Sequence, residues 1–389
     1  MTKSKRRIAI VVGAGFVPGM NAVIKGAVQA ATRLGWEVIG IRDGFDGLLF
    51  PERYPEGGLT PLTVGVAETL DSASGCILGQ ASRVDPFYVR RVNEDDMVEE
   101  VDMSGELLGR LREEGVDGLI AVVGNQGLNI FYKLNARGLK SVCIPLEVEN
   151  DIATTLVSFG FNTALSFTIE MLDKARQAAI AARKIAVVEV LGDDTGWLAL
   201  QSGMAASADA ILIPEIPGDL SEVADSLRKR MSNRRPYGMV VVAQGAKILG
   251  KQKAEAKKSA KTGLKASLSP LATGDNSQYV IQRSGEAATK VSTALQLLIA
   301  EEVYPMVLGP WSRGGAPTAV DRQLGLVYGA SAIRALSDDE TGTMVAFVPP
   351  EVKTVPLDET INRIRTVSMD NVFIRAAESM GICLGRRSS

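Results

Sequence analysis

Short runs of aliphatic and β-branched residues recur along the chain, each followed by glycine and then by apolar positions at helical spacing. Residues 8–12 are the first such run. A glycine-rich stretch, 13–19, follows, and 21–34 repeats apolar residues at steps of three and four. A second run at 38–41 completes a strand–turn–helix–strand unit. The order then returns, with a helix over 106–114, a strand over 118–123, a turn at 124–127, a helix over 128–134 and a strand over 142–146. Strands that are apolar throughout, alternating with amphipathic helices, predict an α/β fold with mainly parallel sheets covered on both faces.

A second series starts near residue 161. It predicts helices over 163–183 and 197–206 and strands over 185–190, 210–213 and 239–242. The first crossover between units is therefore expected near residue 160. Residues 247–277 break the pattern with lysines at 251, 253, 257, 258, 261 and 265. This stretch reads as an exposed insertion, either a solvated loop or a segment that meets an anion or partner. A helix over 287–302, a strand over 306–308, a glycine-rich turn and a helix over 321–335 close the series.

A length of 389 residues exceeds one compact core and suits two domains. The net charge of −2 gives no global field to attract nucleic acid or a membrane surface. The apolar run after the basic N-terminus is too short for a signal peptide, and no stretch reaches the roughly 20 apolar residues of a membrane span. Cys76, Cys143 and Cys383 are an odd count without metal-ligand spacing and read as reduced, buried thiols of a cytoplasmic protein. The chain has no histidine, which excludes Ser-His-Asp and Cys-His catalysis and leaves acid–base work to Asp, Glu, Lys, Tyr or Cys.

In an open parallel sheet, ligands sit beyond the carboxyl ends of the strands, so the strand-to-helix turns carry the candidate chemistry. Val12-Gly-Ala-Gly-Phe-Val-Pro-Gly-Met-Asn21, which includes Gly15, is either a phosphate-binding turn or simply a tight one. Gly75-Cys-Ile-Leu-Gly-Gln-Ala-Ser-Arg83 ends on an arginine suited to a phosphoryl oxygen or to a surface ion pair. Val123-Gly-Asn-Gln-Gly127, with Gly124, Asn125 and Gln126, has the shape of an anion turn but no charge. Pro145-Leu-Glu-Val-Glu-Asn-Asp151 places Glu147 and Glu149 on one side of an extended segment, with Asp151 continuing that side. Three such carboxylates repel one another, which favours a site over a purely structural role. Gly309-Pro-Trp-Ser-Arg-Gly-Gly315 sets Arg313 in a glycine-rich turn before a helix, suited to a sugar phosphate or to capping a neighbouring helix.

In this order, the turns resemble the ATP- and pyrophosphate-dependent 6-phosphofructokinase family. Pro18-Gly-Met-Asn21, Asp43-Gly-Phe-Asp-Gly47, Glu149-Asn-Asp-Ile152, Phe161-Asn-Thr-Ala164, Val187-Val-Glu-Val-Leu-Gly192 and Arg313-Gly-Gly-Ala-Pro-Thr-Ala319 with Asp321-Arg322 carry the likeness. It extends from about residue 7 to 362. The resemblance implies two Rossmann-like domains: 1–160 with about 312–362 on the nucleotide side, and 161–311 with about 363–389 on the sugar-phosphate side. It also implies an active site between them, a homo-oligomer (dimer or tetramer), and transfer of phosphoryl from magnesium-bound ATP to the C1 hydroxyl of fructose 6-phosphate. The matching positions make Glu149, Asp151 and Glu147 the catalytic candidates, with Asp151 as the metal candidate. Gly15, Arg83, Gly124, Asn125, Gln126, Lys184, Gly192, Asp193, Gln244 and Arg313 are the ligand-binding candidates.

Departures from the family pattern fall on the chemistry. Asn125 stands where a magnesium-associated aspartate belongs, and Gln126 where a glycine lets phosphate approach. Pyrophosphate users have an aspartate at Gln126 and a lysine at Leu146. Glu149 replaces the family's aspartate base, and a shift of about 1 Å in such a group can cost on the order of 100-fold. Glu147 replaces a threonine that holds the transferring phosphoryl group. Asp193, Tyr304 and Lys184 stand in place of arginines, Gln244 of a glutamate and Pro310 of a histidine, whereas Asp151, Glu189, Gly192 and Arg313 are retained. The expectation is a family member without ordinary kinase activity, either non-catalytic or repurposed. The alternative is a divergent sugar-phosphate kinase using ATP or pyrophosphate.

Overall fold

A computed structural model describes residues 6–13, 17–70, 75–79, 85–92, 96–232, 235–249 and 285–386. The chain divides into two compact units, Met1–Phe167 with Trp311–Arg365, and Thr168–Pro310 with Thr366–Ser389.

The elements of the first unit run in the order β1 (Arg7–Val12), α1 (Met20–Arg33), β2 (Glu37–Ile41), α2 (Asp46–Leu49), β3 (Leu59–Pro61), α3 (Val64–Thr69), β4 (Val89–Val92), β5 (Val98–Val101), α4 (Ser104–Glu113), β6 (Gly118–Val123), α5 (Asn125–Ala136), β7 (Ser141–Glu147) and β8 (Phe159–Gly160). Helix α6 (Phe161–Ala182) carries the chain into the second unit. There follow β9 (Ile185–Val190), α7 (Trp197–Ala205), β10 (Ala210–Leu212), β11 (Gly218–Asp219), α8 (Leu220–Arg230), β12 (Gly238–Ala243), β13 (Ile248–Leu249), α9 (Glu286–Gln296) and β14 (Val303–Val307). The first unit resumes with α10 (Ala319–Ser337), β15 (Thr343–Val348), β16 (Glu351–Pro356) and α11 (Leu357–Thr360), and α12 (Val372–Ser379) belongs to the second.

Among the described residues, the first unit holds a sheet in the order β16-β15-β7-β6-β1-β2-β3, with β8 beside β7. Its centre, β15-β7-β6-β1-β2, is parallel, and β16 and β3 are antiparallel edges. The second unit holds the parallel order β10-β12-β9-β14. β6, β9 and β12 are buried at every position, as their unbroken apolar runs require. One core packs Leu107, Leu111, Phe131 and Leu134 against Ala121, Val123 and Cys143; the other packs Val223, Leu227 and Leu295 against Ile185, Val187 and Val242.

Four expectations need correction. The turn expected at 124–127 is shorter: α5 begins at Asn125, so Asn125 and Gln126 lie in the helix's first turn, where backbone N–H groups have no partner within the helix. The helix expected over 287–302 stops at Gln296. The Gln296 amide donates to the Glu301 carbonyl at 3.1 Å and accepts from the Val303 N–H at 2.9 Å, which bends the chain away. Ile248–Leu249, inside the expected insertion 247–277, pair with Gly218–Asp219 as a short parallel ladder, and 250–277 lies outside the described residues. Of the cysteines expected to be buried, only Cys143 is fully so, although burial also raises the Cys76 thiol to about 11 and keeps it protonated.

α1 and α10 meet backbone to backbone. A Cβ on Gly26 would lie 2.3 Å from the Leu326 carbonyl oxygen, and one on Gly329 would lie 2.2 Å from that of Val23. Neither neighbour can swing aside, because both are main chain. Gly329→Ala is expected to cost about 2–3 kcal/mol in urea unfolding. Gly109→Ala, in α4 with open space around it, should gain about 0.5–1 kcal/mol. Equal midpoints for the two variants would show that the seam is not tight.

Candidate functional site

The carboxyl ends of β1, β6 and β7 lie side by side, and the Gly13 N–H donates to the Val122 carbonyl at 2.9 Å. Glycine is required here for a steric reason: a Cβ on Gly127 would stand 2.4 Å from the Val123 Cβ. Gly124 caps α5 and faces the end of β7. A Cβ on it would lie 3.1 Å from Glu147 Oε2. The carboxylate of Glu147 thus rests against the turn whose N–H groups open α5.

Glu147 and Glu149 share one side of the strand end, as their alternation requires. Arg313 Nη2 lies 3.4 Å from Glu147 Oε1 and 3.7 Å from Glu149 Oε1. All three side chains are about one-fifth exposed or less, so the group sits partly out of water. Glu147 Oε1 also accepts from the Val148 N–H at 2.9 Å. Arg313 comes from a short 3-10 turn, with Gly315 at φ +95° behind it, just ahead of the Thr318-capped N-terminus of α10.

Asp151 does not continue the extended side. β7 ends at Glu147, and Asn150 adopts φ +56°, which turns the chain. Asn150 holds that conformation with its own amide, donating to the Leu156 carbonyl and accepting from the Ser158 N–H at 2.9 Å. Past the turn, Asp151 Oδ2 accepts from Asn125 Nδ2 at 2.8 Å. The structure therefore brings Glu147, Glu149 and Arg313 together, and joins Asp151 to Asn125. Gln126 is exposed. Gly15 and Arg83 lie outside the described residues.

In the second unit, Gly192 has φ +140°, and a Cβ there would meet the Thr195 carbonyl oxygen at 2.5 Å. Gly245 donates to the Gly192 carbonyl at 2.9 Å and packs against the Asp193 main chain. The Gln244 N–H donates to Val190 at 3.1 Å, which sets its side chain at the carboxyl end of β12. Both amide atoms of Gln244 are buried without a hydrogen-bond partner among the described residues, and so is the hydroxyl of Thr195. Leaving such groups unmatched costs about 1–3 kcal/mol each. Nothing in the sequence spacing singles out Thr195; a polar residue just past the β9 turn is its only signal.

Lys184 does not join Gly192, Asp193 and Gln244. It precedes β9, whereas they lie at or beyond the carboxyl ends of β9 and β12, roughly 20 Å away at strand rise. Lys184 Nζ instead pairs with Glu302 at 2.7 Å, near Tyr304 at the start of β14. Glu189 is structural: it is 1% exposed and accepts from the Gly285 and Ala288 N–H groups at the start of α9.

Glycine-bearing turns at the carboxyl ends of mainly parallel strands define an α/β protein of the open, mainly parallel class. A family model described as Phosphofructokinase matches residues 7–336, and the chain belongs to the phosphofructokinase family. It is 33% identical over 386 residues, with 99% of both chains covered, to a protein of Chloroflexus aurantiacus named ATP-dependent 6-phosphofructokinase. It is also 33% identical over 363 residues to the pyrophosphate–fructose 6-phosphate 1-phosphotransferase of Amycolatopsis methanolica, covering 93% of this chain and 96% of that one. Among solved structures, the pyrophosphate-dependent phosphofructokinase of Marinobacter aquaeolei superposes with a TM-score of 0.71 at 16% identity, over 97% of this chain and 88% of that one.

Among the described residues, no group of three acidic or thiol side chains is arranged to cage a metal. A magnesium ion held mainly by phosphate oxygens needs only one or two protein carboxylates. Among the described residues, no helix is long and apolar enough to cross a membrane.

Proposed function

We propose that this chain is a cytoplasmic phosphotransferase acting on a sugar phosphate. It moves a phosphoryl group from ATP or pyrophosphate to a hydroxyl of fructose 6-phosphate or a related sugar phosphate. Full-length relatives named for that reaction support the reading. The observation that carries it is Glu149, two residues beyond the end of the buried strand β7, with Arg313 at 3.7 Å. A carboxylate there can take the proton of an attacking hydroxyl, and the guanidinium can face the developing negative charge. In the second unit, Gln244 and Thr195 offer unmatched donors and acceptors suited to sugar hydroxyls. A magnesium ion, when bound, neutralises phosphate charge, and Asp151 is the residue to hold it.

A second reading, binding of a sugar phosphate without phosphoryl transfer, is favoured by one specific feature. Glu147 and Glu149 both lie on Arg313, and Glu147 also rests against Gly124. An incoming phosphate therefore meets two carboxylates along with the one guanidinium. A coupled assay with fructose 6-phosphate, magnesium and either donor decides between the two. Fructose bisphosphate forming well above the blank, on the order of 1 s⁻¹ or slower, is expected. No product, together with saturable fructose 6-phosphate binding in calorimetry, selects the second reading. Under either reading Gln244→Ala should weaken fructose 6-phosphate binding by about 10-fold, since one or two hydrogen bonds are lost. Unchanged affinity would remove Gln244 from the site.

A further inference from the structure

The segment after α11 is fastened to the turn that carries the acids. The Arg365 N–H donates to the Asp151 carbonyl at 2.7 Å, and its Nη1 donates to the Asn150 carbonyl at 3.1 Å. One residue earlier, Ile364 forms an antiparallel bridge with the fully buried Ile152. At the other end of the segment, the hydroxyls of Thr360 and Thr154 lie 2.8 Å apart, and Thr360 is fully buried. Four contacts thus tie residues 360–365 to residues 150–154. The turn they hold has Asn150 and Thr154 at positive φ, +56° and +66°, a conformation that costs free energy and persists where the surroundings hold it.

We propose that Arg365 is a positioning residue, clamping the Asn150–Asp151 turn so that Glu149 and Asp151 keep their places beside Arg313 and Asn125. Its main-chain donor and its guanidinium reach two successive carbonyls. The carbonyls face the clamp while the Asp151 side chain reaches Asn125. Burial works against the charge of Arg365, which the fold accepts even though the group pairs with main-chain oxygens. The main-chain bond to Asp151 survives any substitution; a lysine can reach the Asn150 carbonyl only as a point charge on a flexible stem, and a methionine keeps the apolar stem but reaches it not at all. The catalytic consequence rests on the phosphotransferase reading, whereas the clamp itself does not.

Arg365→Met and Arg365→Lys in the full chain test this. Amide hydrogen exchange by mass spectrometry is read over peptides covering 148–158 and 361–368. In Arg365→Met, exchange in both peptides is expected to rise at least 10-fold while the remainder of the first unit stays within 2-fold. Arg365→Lys should recover part of the protection. In the coupled assay the Met variant is expected to lose at least 10-fold in kcat, with KM for fructose 6-phosphate within 2-fold, and Lys to restore part of the rate. Wild-type exchange over 148–158 in the Met variant overturns the clamp. Changed exchange with an unchanged kcat overturns the positioning role. If the wild type shows no turnover, the phosphotransferase reading fails, and exchange still decides the clamp. If the Met variant does not fold, Arg365→Gln, whose shorter side chain falls short of the Asn150 carbonyl, carries the same comparison, and wild-type exchange in it overturns the proposal.

Discussion

Glu149→Gln is expected to lower turnover with fructose 6-phosphate by about 10²- to 10⁴-fold, the usual contribution of a positioned general base. Glutamine preserves the size of the side chain and its hydrogen-bonding reach to Arg313, so binding should stay within a few-fold. The loss falls on kcat because the missing group acts on a proton that moves only in the transition state. Glu147→Thr moves the opposite way. It removes the carboxylate resting against Gly124 and releases half of the charge on Arg313, so the KM for the phosphoryl donor should fall about 10-fold. Steady-state kinetics on both variants check this. An unchanged kcat in Glu149→Gln would remove Glu149 as the base.

Asp321→Ala is expected to cost about 3 kcal/mol or more in urea unfolding. Asp321 is fully buried and accepts from the Gly160 N–H at 3.1 Å, the Thr163 N–H at 2.7 Å and the Thr163 hydroxyl at 2.5 Å. Alanine leaves those donors buried and unmatched, at about 1–3 kcal/mol each. Burial raises the Asp321 carboxyl above its usual value of 3.8, and the hydrogen bonds offset this only in part. The folded state therefore binds this proton more tightly than the unfolded chain does. That stability is fully present below about pH 3.8 and is lost as pH rises through the raised value. The gap between wild type and Asp321→Ala should accordingly widen as pH falls from 7 towards 4. A flat gap would show that the carboxyl titrates alike in both states.

The inner strands were legible because a fully buried parallel strand has no polar face: residues 118–123 and 185–190 were bounded correctly from hydrophobicity alone. The β4–β5 hairpin was not. Its residues are mostly exposed, so Val-Arg-Arg-Val and Val-Glu-Glu-Val show no burial pattern to read. In the site, alternation placed Glu147 and Glu149 on one side, and Arg313 does meet both, although β7 itself ends at Glu147. The same rule failed one step later, since no spacing reveals a left-handed Asn150. Arg313 was visible as an arginine in a glycine-rich turn, but its two carboxylate partners lie more than 160 positions away in sequence, and only folding joins them. Likeness to a family motif marks Lys184 as a position but does not tell which end of a strand it occupies; within one chain it precedes β9 and pairs with Glu302.

The glycine contact between α1 and α10 has a bearing on the acids it never touches. Arg313 sits a few residues ahead of α10, so the depth at which that helix beds against its neighbour governs how far the guanidinium projects towards the end of β7. A methyl group added at Gly329 would meet the Val23 carbonyl at 2.2 Å, so one of the two helices must give way. A change in this seam would therefore reach the setting of Arg313 as well as the stability of the fold.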